Sequence, residues 1–222
     1  MIEVAAVSRH YGPAPALDRV SLTVGREEPV VLRGPSGSGK TTLLRLIAGL
    51  ETPDSGEIRM GGAVVSRPGW ALEPYQRSIG FVFQNAALWP HMRVRENVAF
   101  ACRRREGGFA AAQAARWLEA TEAAHLADRY PERLSAGESA RVALARALVS
   151  EPVRLLLDEP LAHLDGDLKS RLLDLILNTA RERAATLIYV THDASEIERI
   201  GGRVLRIAGG RLVEERVSVK DR

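Results

Sequence analysis

Eight consecutive residues, Gly34-Pro35-Ser36-Gly37-Ser38-Gly39-Lys40-Thr41, have the types and spacing to hold a chain of phosphates. They follow an apolar run, Val30-Val31-Leu32, and lead into a helical pattern of Leu43, Leu44, Ile47 and Leu50, with Gly49 near its end. Glycines let successive backbone N–H groups turn toward phosphate oxygens, and the helix N-terminus adds the positive end of its dipole. Lys40 can reach the β- and γ-phosphates as a point charge, and the Thr41 hydroxyl can bind Mg²⁺. Lysine is scarce in this chain, occurring at Lys40, Lys169 and Lys220, so a lysine at this position is not what the composition supplies by default. A second group, Leu155-Leu156-Leu157-Asp158-Glu159, sets two carboxylates directly after a buried strand. Asp158 can hold Mg²⁺ through water, and Glu159 can polarise a water that attacks a γ-phosphate. A strand that merely ends in a charged turn reads the same way, so the phosphate loop is what raises the chemical reading.

These residues need a frame, and the apolar pattern supplies one. Short strands are expected at Ile2 to Val7, Leu17 to Val24, Val30 to Leu32, Ile79 to Phe83, Leu155 to Leu157 and Leu187 to Val190, with two more flanking Gly209-Gly210. Asp54-Ser55-Gly56 and Gly61-Gly62 mark turns around further short strands. From Val94 to Val149 the sequence turns Ala-rich, with helices expected at Arg93 to Ala101, Phe109 to Leu126 and Glu138 to Val149. Leu168, Leu172, Leu175, Ile176 and Thr179 share one face of a later helix. Arg154, at the start of an apolar strand, is expected at the sheet's edge or with its charge reaching outward. The order reads as an α/β core interrupted by a helical lobe.

Leu134-Ser135-Ala136-Gly137-Glu138 precedes a helix from Ser139 to Leu148, as the signature L-S-G-G-Q does in one family. With the phosphate loop and the Asp158-Glu159 pair, this ordered series resembles the ATPase subunit of an ABC (ATP-binding cassette) transporter over nearly the whole chain. The resemblance implies an α/β fold: a P-loop NTPase with a RecA-like core, an N-terminal antiparallel β-subdomain and an inserted α-helical subdomain. It implies one domain over residues 1–222, with 1–84 and 150–222 as core and β-subdomain and 85–149 as the helical part carrying the signature. ATP would meet Tyr11, stacked on the adenine, and Gly34, Pro35, Ser36, Gly37, Ser38, Gly39, Lys40, Thr41 and Thr42. Glu159 would activate water, His192 would hydrogen-bond the γ-phosphate, and Gln84 would sense Mg²⁺ and the water. Thr41, Gln84 and Asp158 would serve the metal.

Ser135, Ala136, Gly137 and Glu138 would face ATP held by the opposite subunit, and Asp165 would be the D-loop aspartate. Read from the residues alone, Tyr11 could pack on the first hairpin, Gln84 could cap a strand, and Ser135 and Asp165 could be helix N-caps. Ala136 and Glu138 depart from the family's glycine and glutamine, which implies weakened or retuned phosphate binding. Ala162 stands where the family has a D-loop serine, whose hydroxyl contact is therefore missing.

Glu159-Pro160-Leu161 and the stretch Leu88 to Val98 resemble the importer branch, which implies a separate membrane permease, a solute-binding protein and an ATP-dependent homodimer or paired subunit. Exporters and non-transport cassettes are the alternatives. The segment from Asn85 to Arg95 would receive the permease, with Trp89 and Met92 either exposed there or part of the core. Only about ten residues follow the last strand pair, where many such importers carry a regulatory β-domain, so that route of regulation is expected to be missing.

The composition narrows the class without naming the chemistry. At 222 residues, 45% hydrophobic and 27% charged, the chain suits one globular domain. One cysteine, Cys102, excludes a disulfide scaffold and fits a reducing compartment. A net charge of +3 spread along the chain argues against nucleic acid, and Arg103-Arg104-Arg105 reads as a solvated helix end. With no apolar run long enough to span a bilayer and no signal-peptide pattern at Met1, the expected place is the cytoplasm, and the resemblance implies a peripheral position on the membrane's inner face.

Overall fold

The computed structural model describes residues 1–102 and 108–215; Arg103-Arg104-Arg105 lies outside the described residues. Its organisation follows from strands whose two faces are both apolar. β8 (Arg154–Asp158) and β9 (Thr186–Val190) lie side by side and parallel, Leu156 opposite Ile188. Alternate side chains enter two separate cores. Leu155, Leu157, Leu187 and Tyr189 pack on one side, Leu156, Ile188 and Val190 on the other.

A six-stranded sheet is built around that pair, in the order β11-β10-β3-β9-β8-β7. β3 (Val30–Arg33) pairs parallel with β9 and with β10 (Arg203–Ala208), and β7 (Ile79–Val82) pairs parallel with β8. β11 (Arg211–Glu215) closes an antiparallel hairpin over Gly209-Gly210. A second, antiparallel sheet has the order β2-β1-β4-β5-β6, from β1 (Ile2–His10), β2 (Pro15–Val24), β4 (Ser55–Met60), β5 (Ala63–Arg67) and β6 (Trp70–Ala71). Its apolar face shares one core with α1 (Lys40–Ala48), whose Leu43, Leu44, Leu46 and Ile47 are fully buried.

The opposite face of the large sheet is covered by helices. Between β7 and β8 come α2 (Val94–Phe100), α3 (Phe109–Ala120) and α4 (Ala136–Val149). They share the second core with α5 (Gly166–Glu182) and α6 (Ala194–Ile200). The helix expected to run from Phe109 to Leu126 stops at Ala120. The Thr121 hydroxyl turns back to Trp117 O (2.9 Å), Glu122 takes a left-handed φ of 55°, and a 3-10 turn follows at Ala124–Leu126. The third expected helix begins two residues earlier than Glu138, at Ala136.

Arg154 corrects the sequence reading. β8 is flanked by β9 and β7, so Arg154 is not at a sheet edge, and its guanidinium is half-buried rather than turned out. It donates to Arg77 O (2.9 Å). Arg77 is itself 2% exposed, a residue with no signal in the sequence. It donates to the carbonyls of Leu46 (3.3 Å), Ile47 (2.8 Å), Val65 (2.7 Å) and Leu72 (2.8 Å) and to Ser66 Oγ (2.8 Å). It thereby satisfies the C-terminal carbonyls of α1 and fastens them to β5. Burial lowers its pKa to about 10, and it stays charged near neutrality.

Candidate nucleotide site

The loop Gly34–Gly39 joins β3 to α1, so its backbone lies at the carboxyl end of a parallel strand and at a helix N-terminus. Gly34 has φ +150°, and a Cβ there would stand 2.2 Å from Ile207 O, so no other residue fits. Pro35, Ser36 and Gly37 are exposed, while Ser38 Oγ is buried with no hydrogen-bond partner among the described residues. Lys40 Nζ lies across the loop, donating to Gly34 O (2.8 Å) and Pro35 O (3.0 Å). The loop is a positively charged cradle whose cation rests on exchangeable carbonyls.

Thr41, next along α1, donates its hydroxyl to Asp158 Oδ2 at 2.7 Å. Asp158 closes β8 and is 2% exposed; burial pushes its carboxyl pKa up, and neighbouring Glu159 adds to the rise. A buried carboxylate beside a hydroxyl is a pair of oxygen ligands suited to a hard cation, so these residues fit Mg²⁺. Glu159 follows with φ +49°, its N–H donating to Val190 O (3.0 Å). That turn brings a Glu159 oxygen to 3.6 Å from His192 Nδ1. The His192 side chain is 78% exposed. Gln84, after β7, is also exposed and lines a cleft of about 440 Å³ together with Asn85, Ala136, Glu159 and His163.

Tyr11 is 58% exposed and stands outside the hairpin core. Its hydroxyl donates to Glu51, the Thr42 side chain hydrogen-bonds the same phenol, and the Arg9 guanidinium lies 5.2 Å over the ring. Burial of the phenol end and the Glu51 carboxylate raise its pKa. The tyrosine is thus pinned to the helix of the phosphate loop with most of its surface free, and Glu51, unseen in the sequence, is what pins it.

Ser135 is the N-cap of α4: its Oγ accepts from Glu138 N (3.2 Å), and the Glu138 carboxylate accepts from Ser135 N (2.7 Å). This reciprocal capping box, with Arg129 at 3.4 Å, draws the Glu138 carboxylate back onto its own chain. Those contacts, the Ser135 N–H first, lower its pKa. Ala136 is exposed, and Gly137 is packed so closely on the loop before α5 that a Cβ would meet His163 O at 2.9 Å. Asp165 occupies the N-cap position of α5, but its side chain makes no capping bond.

Trp89 and Met92 are half-buried. The Trp89 ring has Phe100 edge-on at 4.9 Å and the Arg146 guanidinium 4.9 Å above it. Their loop is held by Asn97, fully buried, whose side chain pairs with both backbone groups of Trp89 and with the carbonyls of Met92 and Arg93. Arg146, on α4, donates to the carbonyls of Ala86 and Ala87. Nothing in the sequence marked Asn97 or Arg146, because each works by satisfying backbone groups that come close only in the fold.

A parallel sheet with a phosphate loop at a strand's carboxyl end, a helical insertion and an antiparallel flank define a P-loop nucleotide-binding cassette. The chain belongs to the ABC transporter family, whose model matches residues 17–162. It is 45% identical over 217 residues to the sulfate/thiosulfate import ATP-binding protein CysA of Escherichia coli K12, covering 95% of this chain and 58% of that one. It is 42% identical over 216 residues to the spermidine/putrescine import ATP-binding protein PotA of Pseudomonas aeruginosa UCBPP-PA14, covering 96% and 58%. The chain therefore spans less than two thirds of the length of these relatives. Among solved structures it is similar to MJ0796, a dimeric bacterial ABC transporter cassette (TM-score 0.90, 32% identity, 97% and 98% covered). A post-hydrolysis dimer of the same cassette with ADP and Pi matches at TM-score 0.89 and 31% identity, with 97% and 98% covered.

Proposed function

We propose that this chain hydrolyses Mg²⁺-ATP to ADP and phosphate and so powers solute import through a separate membrane permease. The observation that carries the reading is the join between two distant motifs: Thr41 bonded to buried Asp158, with Glu159 next in sequence facing His192. Phosphates enter the loop from Gly34 to Thr41, and Lys40 Nζ exchanges its two carbonyls for phosphate oxygens. Thr41, Asp158 and Gln84 would hold Mg²⁺, which would supply charge neutralisation to the phosphates when bound. Glu159 takes a proton from water as the water oxygen bonds the γ-phosphorus and the bond to the β–γ bridging oxygen breaks. His192 hydrogen-bonds the γ-phosphate, Thr42 and Tyr11 frame the adenosine side, and Ser135 to Glu138 of a second chain close the site, with Asp165 beside them.

The partner assignments belong to the same reading. A groove of about 760 Å³ is lined by Tyr75, Phe81, Phe83, Trp89, Phe100 and Arg146, with Tyr75 and Phe100 well exposed; its aromatic surface suits a permease segment. Among the described residues no helix is long and apolar enough to cross a membrane. The chain would act as one cassette divided at 1–84, 85–149 and 150–222, on the cytoplasmic face, in a complex that includes a solute-binding protein. Import is supported by the relatives CysA and PotA, both import ATP-binding proteins.

Glu159→Gln tests the chemistry. A carboxamide cannot accept the water's proton, so phosphate release should fall at least about 100-fold while the Kd for ATP stays within about twofold. Undiminished turnover removes Glu159 from the mechanism, and a wild-type chain that releases no phosphate with its permease present refutes the ATPase reading.

A further inference from the structure

Away from the residues assigned to phosphates and water, one lysine joins two helices. Lys169 lies in the first turns of α5, four residues after Asp165. Its Nζ donates to Asp193 Oδ2 at 2.5 Å and stands 2.8 Å from Glu196 Oε1. Asp193 is the N-cap of α6: its other oxygen accepts from Ser195 N (2.8 Å) and Ser195 Oγ (2.6 Å). Glu196 has a side chain only 4% exposed, and Tyr189 of β9 is fully buried beside it. A carboxylate that deeply placed needs a cation, and Lys169 supplies it.

The consequence falls on the residue in between. His192 is preceded by Thr191, buried and bonded through its N–H to Leu32 O of β3 (3.3 Å). It is followed by Asp193, whose N–H donates to Thr191 Oγ1 (3.1 Å) and whose carboxylate is bound to α5. Both neighbours are therefore anchored, on different elements, while the imidazole is 78% exposed and faces Glu159 at 3.6 Å. The backbone sets the Cα–Cβ bond from which the ring swings, and on the C-terminal side that backbone is held through Asp193 by Lys169.

We propose that Lys169 is a positioning residue for His192: by binding Asp193 and Glu196 it fixes the histidine's backbone and ties it to the loop that ends at Asp165. The inference rests on the reading of His192 as the group that meets the γ-phosphate. A displacement of Asp165, on whose far side α5 begins, is carried by Lys169 to the residue after His192.

Two measurements test this, one of them independent of hydrolysis. In Lys169→Met, kcat for ATP should fall roughly tenfold with KM within about twofold, because misplacement of a transition-state contact leaves most ground-state binding in place. Lys169→Arg, which keeps a cation of similar reach, should restore most of kcat. Since Lys169→Met leaves two carboxylates facing each other, Lys169→Met/Glu196→Gln is the control in which the buried charge is relieved. With histidine ring carbons labelled for NMR, His192 is assigned by the signal lost in His192→Ala. That signal should shift or broaden in both Met variants, while those of His10, His91, His125 and His163 stay. A double variant with wild-type Tm, wild-type kcat and an unmoved His192 signal overturns the proposal and leaves Lys169 as charge balance alone. A wild-type chain that does not hydrolyse ATP sinks the ATPase reading instead, and the NMR comparison still decides whether Lys169 sets the ring.

Discussion

At position 138 a glutamate stands where the family signature has glutamine, and the structure gives it work that either residue can do. One side-chain oxygen accepts the Ser135 N–H at 2.7 Å, and a carboxamide oxygen has the same reach. Glu138→Gln should therefore leave stability at pH 7 within about 0.5 kcal/mol, whereas Ser135→Ala, which removes the cap, should lose about 1 kcal/mol. The two variants also separate by pH. The folded-state pKa of Glu138 lies below its ordinary value of 4.5, so its stabilising contribution is present above that value and is lost as pH falls through the folded pKa. Glu138→Gln should flatten the decline of Tm between pH 5 and pH 3 and Ser135→Ala should keep part of it; thermal melts across that range check both. An unchanged acid limb in Glu138→Gln would mean that the charge has no part in the cap.

Secondary structure was legible wherever the apolar period was clean. Strands β3, β8 and β9, the helical patterns after Lys40 and after Asp165, and the hairpin over Gly209-Gly210 all carry their own signal. The break at Thr121 did not, because alanine-rich sequence favours helix on both sides and the stop is made by one left-handed glutamate, Glu122, with the Ala123 N–H closing back on Leu118 O (2.7 Å). Arg154 and Arg77 were illegible for a different reason: an arginine reads as surface unless the carbonyls it will meet are known. The phosphate loop, Asp158, Glu159 and the signature were visible as motifs, but Glu51, Asn97 and Lys169, which hold Tyr11, the Trp89 loop and Asp193, were not. A motif is local, and its support is assembled from distant elements. The Arg77 junction gives the sharpest test of that support. Gly49 has φ +80°, and a Cβ there would lie 2.4 Å from the Arg77 guanidinium carbon. Gly49→Ala should lose about 2–4 kcal/mol, and Arg77→Leu a comparable amount by stranding four carbonyls and a hydroxyl in the core. Urea unfolding checks both; a double variant no worse than either single one shows that they act on the same junction. Additive losses would mean that Gly49 is required for the helix end alone.

For the whole molecule, the decisive question is whether a site is shared between chains. Under the proposed two-fold pairing, each ATP lies between Lys40 of one chain and Ser135 to Glu138 of the other. Gly137 is a poor probe of this, since any side chain there presses on His163 O of its own chain at 2.9 Å and disturbs the loop leading to Asp165. Ala136 is better placed. It is exposed, it is the first residue of α4, and it borders the cleft that holds Gln84 and Glu159. An aspartate there is favourable to the helix dipole, so Ala136→Asp should fold normally while setting a negative charge against an incoming phosphate. Lys40→Ala homodimers and Ala136→Asp homodimers each have two defective sites. A mixed dimer gathers both defects into one site and leaves the other intact. Random mixing makes half of the dimers mixed, so about a quarter of all sites regain wild-type composition. Two preparations that are inactive alone should then recover hydrolysis when combined, up to about a quarter of the wild-type rate, or less if the sites must fire together. Native mass spectrometry establishes that mixed dimers have formed. Mixed dimers without any recovered phosphate release would defeat the independent shared site, and full activity in Ala136→Asp alone would remove the signature segment from the nucleotide site.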